Sequence, residues 1–290
     1  MSALLGENLS YGPLIKKNIP TITVIIDDIG NNRLLGLRAA KLPPQVALSI
    51  LPHTSFSDEI AHLGKQRGMD ILLHQPMESL TNLSLLGPGP LLKNMNRRQF
   101  NQVLDENLKV VPFVIGLNNH MGSLLTADKQ KMNWLMEELK YRDLFFIDSR
   151  TTTETIAENT AQVWQVPTER RKVFLDHIDE PEAIAVQFQR LLSIAEKNGH
   201  AIAIGHPREN TLNFLEQKLT HLDGLQFNLI PVSQLMADIS SIKSIKKLHD
   251  STEPVYVDCY YFDLNNYNYP RPKSLRLMRD SIDIIDCLIH

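Results

Sequence analysis

Ile22-Thr-Val-Ile-Ile-Asp-Asp-Ile-Gly30 is a β-branched run that stops on two carboxylates and a glycine. A strand that is apolar or β-branched at both parities is buried on both faces, and such strands belong to parallel sheets covered by helices. The polar ending places a loop at the C-terminal end of the strand.

The same unit recurs downstream. A helical stretch from Arg33 to Ala40 is stopped by Pro43-Pro44, and Val46 to Ile50 forms a second strand, followed by a helix between Ser55 and Arg67. Further strands are predicted at Asp70 to Leu73, Phe113 to Leu117, Leu144 to Ile147, Val173 to Leu175, Ala201 to Ile204 and Phe227 to Ile230. Between them lie a Gly/Pro-rich loop through Leu86 to Pro90 and helices at Arg97 to Leu108, Ala127 to Tyr141, Thr153 to Val163, Pro181 to Lys197 and Asn210 to Leu219. Strand and helix alternate roughly eight times, and a parallel strand rejoins its sheet only through such a crossover. A closed barrel and an open doubly wound sheet both satisfy the pattern. Polar groups after nearly every strand favour the barrel, whose loops at one face share a site.

The domain is expected over 21–239, with an N-terminal extension at 1–20 and a tail at 240–290, partly disordered, that lacks clear periodicity. The 30 basic residues nearly balance the 33 acidic ones, for a net charge of -3, so no global field attracts nucleic acid or an anionic membrane. Both cysteines, Cys259 and Cys287, fall in the tail, and zinc-finger spacings are excluded. No stretch is long and apolar enough for a membrane span, and Met1 to Pro20 has no signal-peptide core. The chain as it stands reads as cytoplasmic; with a missing leader it would be a periplasmic or cell-envelope protein. Oligomeric state is left open.

Adjacent carboxylates repel, so burying Asp27-Asp28 calls for a compensating cation or proton, although a helix cap at Asp28 and a turn at Gly30 would account for the same residues. His74-Gln-Pro-Met-Glu78 places an imidazole and a carboxylate four apart on a proline-constrained loop, both suited to a divalent ion. Asn118-Asn119-His120-Met121-Gly122-Ser123 follows the fourth strand, with a histidine ligand candidate among hydrogen-bonding groups. Asp148 and Arg150 can pair with each other or orient neighbours. Asp176-His177 ends the sixth strand, with surface and functional roles both open. Gly205-His206-Pro207 fixes a histidine as a proton donor. Acid or histidine groups at so many strand ends form the signal; each motif alone is weak.

These residues resemble the divergent polysaccharide deacetylase family, a distant branch of the metal-dependent polysaccharide deacetylases, over about Ile22 to Ala237. Ile25-Ile-Asp-Asp-Ile-Gly30 is similar to the T-F-D-D-G signature, which implies Asp27 as the base and Asp28 as a metal ligand. His74 and Glu78 keep the spacing of H-[ST]-x-x-[HD], with glutamate in the second ligand position. Asn118-Asn-His-Met-Gly122 stands where R-x-P-[YF]-G is expected; it lacks the arginine and offers His120 as a further ligand. Gly205-His206-Pro207 takes the place of the motif that carries the general acid. The resemblance implies an irregular (β/α) barrel of about seven parallel strands, with one predicted strand peripheral. It further implies a divalent metal, expected to be zinc, held by Asp28 and His74; the third ligand is expected to be Glu78, in the family's ligand position, or His120, which is read from this sequence and not from the resemblance. Asn118, Asn119, Ser123, Asp148 and Arg150 are expected to bind substrate or support the site. The expected reaction removes acetyl groups from N-acetylated sugars or a cell-envelope polysaccharide, so the partner is a carbohydrate; the alternative is a non-catalytic saccharide-binding or envelope-assembly protein on the same fold.

Overall fold

In the computed structural model, which describes residues 19–220, 226–250, 256–259 and 273–276, the run at 22–26 is the middle of strand β1 (Thr21–Ile29). β1 lies at the centre of the sheet, paired in parallel with β2 (Ala47–Ile50) on one side and β8 (His200–Gly205) on the other. Beyond β2 the order continues through β3 (Ile71–Met77), β4 (Val114–Met121), β5 (Phe145–Asp148) and β6 (Thr168–Arg170); beyond β8 comes β7 (Val173–Phe174). All these pairs are parallel, and β9 (Asn228–Leu229) hangs on the start of β1. The crossovers are α1 (Arg33–Ala39), α2 (Ser57–Gln66), α3 (Arg97–Val110), α4 (Lys129–Tyr141), α5 (Ala157–Trp164), α6 (Pro181–Asn198) and α7 (Glu209–Lys218).

The sheet curls into a half-barrel of eight parallel strands, with β9 as the peripheral one. Its two edges, β6 and β7, are consecutive in the chain. Arg171 N donates to Asp148 O and Lys172 N to Ile202 O, each at 2.9 Å, so two residues carry the chain from the β5 side to the β8 side. β6 was missed in the sequence because Thr-Glu-Arg is too short and polar to show a strand period.

Period two sorts the strand residues into two layers. Ile22, Val24, Ile26, Leu48, Ile71, Leu73, Leu117 and Phe146 join one apolar cluster with Phe100, Leu135, Phe188 and Leu215 of the surrounding helices. The alternate residues Ile25, Ala47, Leu72, Phe145, Ile147, Ile202 and Ile204 are buried outside that cluster and plug the curl of the sheet from within. Gly116 makes room there, since a Cβ at that position would run into the Phe145 ring. Continuing the inner parity towards the C-terminal strand ends leads to Asp27, Ser49, His74, Asn118, His120 and His206, a polar layer above an apolar plug.

Two placements differ from the sequence reading. His74-Gln75-Pro76-Met77 and Asn118-Asn119-His120-Met121 are not loops; they are the last residues of β3 and β4, paired in register from His74 with Asn118 to Met77 with Met121. Pro76 is tolerated because the pairing of β3 with β2 has already ended at Leu73, so no ladder acceptor on that side awaits its missing N–H. Nor does Asp28 cap a helix, since the N-cap of α1 is Asn32, whose side chain accepts from Leu35 N at 3.1 Å.

The chain divides into two compact units, 1–237 and 238–290. Helix α8 (Val232–Asp250) continues through Ile239, where the sequence suggested a change of character. In the second unit β10 (Tyr256–Cys259) pairs antiparallel with β11 (Lys273–Arg276), within a stretch read as aperiodic. The extension at 1–18 and Cys287 lie outside the described residues. Among the described residues no helix is long and apolar enough to cross a membrane.

Candidate metal centre

Strict alternation would send Asp27 inward and Asp28 outward. The pairing of β1 with β2 instead shifts register between Ile26 and Ile29, and Asp28 takes a left-handed backbone with φ 56°. This bulge turns two successive carboxylates towards one cavity, in a conformation Asp adopts more readily than most residues.

Two histidines face Asp28 with their tautomers fixed from behind. Asn118 Nδ2 donates to Asp27 Oδ1 at 2.7 Å, which leaves Asn118 Oδ1 to accept from Ser49 Oγ at 2.5 Å and from His74 Nδ1 at 2.7 Å. His120 Nε2 donates to Leu85 O at 3.2 Å. The remaining nitrogens, His74 Nε2 and His120 Nδ1, face the cavity, where each can bind a cation through its lone pair or carry a proton in the cation's place.

They converge on Asp28 Oδ1, at 3.2 Å and 2.9 Å, and stand 3.2 Å from each other. Asp28 Oδ1 is shielded from solvent and accepts no hydrogen bond. Three electron-rich atoms in such a triangle require a cation or a proton among them. Tetrahedral coordination with bonds of about 2.0–2.1 Å has ligand-to-ligand edges of about 3.3 Å, so the triangle is nearly the right size for a zinc-like ion. Among the described residues Asp28, His74 and His120 form the one carboxylate and histidine group so disposed. Burial alone would push the His74 ring down, but the Asp27 and Asp28 carboxylates raise it to about 9. Burial likewise opposes ionisation of Asp28, and His120 and His74 outweigh it, holding the carboxyl well below its ordinary range.

Two further groups flank the triangle. Asp27 Oδ2 lies 3.6 Å from His74 Nε2, and burial pushes the Asp27 carboxyl up against the opposing pull of His74 and His206. His206 Nε2 lies 3.7 Å from Asp28 Oδ2, while its Nδ1 donates to Asp176 Oδ1 at 2.9 Å. Asp176 is fully buried, and its Oδ2 accepts from His206 N and Thr211 Oγ1, each at 2.7 Å. Burial would lower the His206 ring, yet the Asp176 bond and charge raise it, so its Nε2 can carry a proton at the cavity.

The other expected site residues stand elsewhere. Glu78 is not in the triangle: β3 ends at Met77, and Glu78 Oε2 accepts from Lys93 N at 2.5 Å, so of the two alternative third ligands His120 is the one in place. Asn119 has the opposite parity from Asn118 and accepts from Ser149 N at 2.9 Å. Ser123 Oγ accepts from Leu80 N at 3.0 Å. Asp148 and Arg150 do not pair through the guanidinium; the Arg150 backbone N donates to Asp148 Oδ1 at 2.8 Å, and Thr155 Oγ1 donates to Oδ2 at 2.9 Å. Ser49, which no motif marks, was not legible in the sequence; of the strand-end pair Asp176-His177, whose role the sequence left open, Asp176 serves the site and His177 is exposed.

The sequence profile of the divergent polysaccharide deacetylases matches residues 24–236. The chain belongs to the divergent polysaccharide deacetylase family. An uncharacterized protein of Haemophilus influenzae is 35% identical over 69% of this chain and 71% of its own length, and the uncharacterized protein YibQ of Escherichia coli is 30% identical over 85% and 76%. The crystal structure of uncharacterized protein ATU2773 from Agrobacterium tumefaciens C58 superposes with a TM-score of 0.73 at 20% identity, covering 77% of this chain and 92% of the other. The half-barrel is thus a fold that this member of the divergent polysaccharide deacetylase family shares with a solved structure.

Proposed function

We propose that this divergent deacetylase is a metal-dependent hydrolase that removes acetyl groups from N-acetylated sugars of a cell-envelope polysaccharide. The observation that carries the reading is the buried Asp28 Oδ1, facing two histidine ring nitrogens, with a buried carboxylate and a protonatable histidine on its flanks. Asp28, His74 and His120 would hold the ion, and this mixed carboxylate and imidazole set suits zinc. A divalent ion there supplies a Lewis acid for the acetyl carbonyl and lowers the pKa of water. Asp27 takes the proton of the attacking water, and its raised pKa suits a general base. Asn118 Nδ2 donates to Asp27 Oδ1 and holds that carboxylate in place. His206 delivers the proton of Nε2 to the departing nitrogen, while Asp176 keeps Nδ1–H directed away from the substrate. The amide and water become acetate and a free amine on the sugar.

Elemental analysis of the purified protein, after chelation and zinc return, tests the site. One divalent ion per chain is expected, lost in Asp28→Ala and kept in Asp27→Asn. The latter should lower deacetylation of N-acetylated sugars by about 100- to 10,000-fold. Stoichiometric metal in Asp28→Ala would overturn the ligand set. A second reading, saccharide binding without turnover, draws on one observation: among the described residues no guanidinium lies within ion-pair distance of Asp27, where the superfamily signature supplies an arginine. Metal-free protein after zinc return would favour it.

A further inference from the structure

Arg171 sits in the two-residue crossing between β6 and β7, and the mechanism makes no use of it. Its Nε donates to Ser149 O at 2.7 Å and its Nη2 to Arg150 O at 2.9 Å, so one edge of the guanidinium is clamped on backbone carbonyls. The group lies over the Phe174 ring at 5.1 Å, and Phe174 meets the His206 ring edge-on, also at 5.1 Å. Arg171 is therefore fixed one ring away from the proposed acid and within electrostatic reach of Asp27.

A guanidinium has five N–H donors, and two are used. The end edge, Nη1 with the second hydrogen of Nη2, has no partner among the described residues. No carboxylate among them forms an ion pair with Arg171 or Arg150. The acids within electrostatic reach are engaged elsewhere: Asp148 accepts from Arg150 N and Thr155, and Asp27 from Asn118. Burial pushes the Arg171 guanidinium below its ordinary value, Asp27 and Asp148 pull against that, and Arg150 adds repulsion. A half-buried cation with a spare edge and a second cation beside it is costly unless an anion completes the pair.

We propose that Arg171, with Arg150 beside it, forms a subsite for a carboxylate carried by the substrate saccharide. The inference rests on the deacetylase reading and narrows its substrate class to acidic N-acetylated sugars. A planar carboxylate matches the end edge of a guanidinium in two parallel N–H···O bonds.

Calorimetric titration of the full chain with N-acetylglucosaminyl-N-acetylmuramic acid and with its methyl ester tests the subsite, since the two differ by the one charge. The acid should bind about tenfold more tightly, with a preference that shrinks as salt is raised. Arg171→Gln should abolish that preference and leave ester affinity and metal content unchanged. Arg150→Gln, whose side chain has no bond among the described residues, should reduce it about threefold and guards against a folding defect in the first variant. Equal binding of acid and ester, or a preference untouched by both variants, overturns the subsite and leaves the deacetylase reading standing. Binding of neither probe overturns both.

Discussion

Asp28 shows how one residue's backbone changes its chemistry. In an extended conformation it would leave the cavity, whereas at φ 56° its Oδ1 reaches His120 Nδ1 at 2.9 Å. His206 illustrates tuning by a partner, because Asp176 holds its Nδ1–H and raises its pKa. In Asp176→Asn the raised value falls back, and the protonated form of His206 is lost at lower pH. The alkaline limb of the kcat profile should therefore move to lower pH, with kcat at pH 8 reduced about 10- to 100-fold and metal content unchanged. An unmoved limb would remove His206 from the role of acid. Ser149→Ala makes a stability test at the same scale. Deleting a buried hydroxyl that has no partner should leave the thermal midpoint unchanged or slightly higher, by calorimetry.

At the scale of the element, the half-barrel depends on how β6 is held at the sheet edge. Glu169 in β6 accepts from Lys172 Nζ at 2.8 Å and contacts His200 Nε2 at 3.1 Å, which ties β6 to the crossing and to the start of β8. Burial opposes its ionisation, yet His200 and Lys172 hold the carboxyl at about 2, below the ordinary 4.5. A depressed folded-state value stabilises the fold above the unfolded value, and this contribution disappears as pH falls from 4.5 towards 2. Glu169→Gln should cost about 1–2 kcal/mol at pH 7, allowing for solvent screening of a partly exposed group, and much less near pH 3. Urea unfolding at both pH values decides it; an equal cost would mean the contacts are not electrostatic. The long strands β3 and β4 were cut short in the sequence because His74, Gln75, Pro76, Asn118 and Asn119 have poor strand propensity, which the ladder between the two overrides.

At the scale of the whole first unit, an apolar layer between sheet and helices carries stability while the inner layer carries chemistry. Phe146 is fully buried in the outer cluster. Phe146→Ala should cost about 3–5 kcal/mol, lower the urea midpoint without changing the slope, and leave metal stoichiometry in the folded protein intact. Loss of metal at full folding would show that the layers are coupled. The sequence by itself determined the parallel α/β class, the family, and Asp27, Asp28, His74 and His206 as groups at strand ends, because β-branched runs, crossover helices and the spacing of motifs are local properties of the chain. Only the tertiary structure decided that His120 and not Glu78 completes the triangle with Asp28, that Asn118 serves the cavity while Asn119 braces the loop after β5, and that Asp176 holds His206 while Phe174 separates it from Arg171. Those outcomes depend on where a strand ends, on which parity faces inward past a bulge, and on which distant strands curl together, and each is fixed by pairing between residues far apart in the chain.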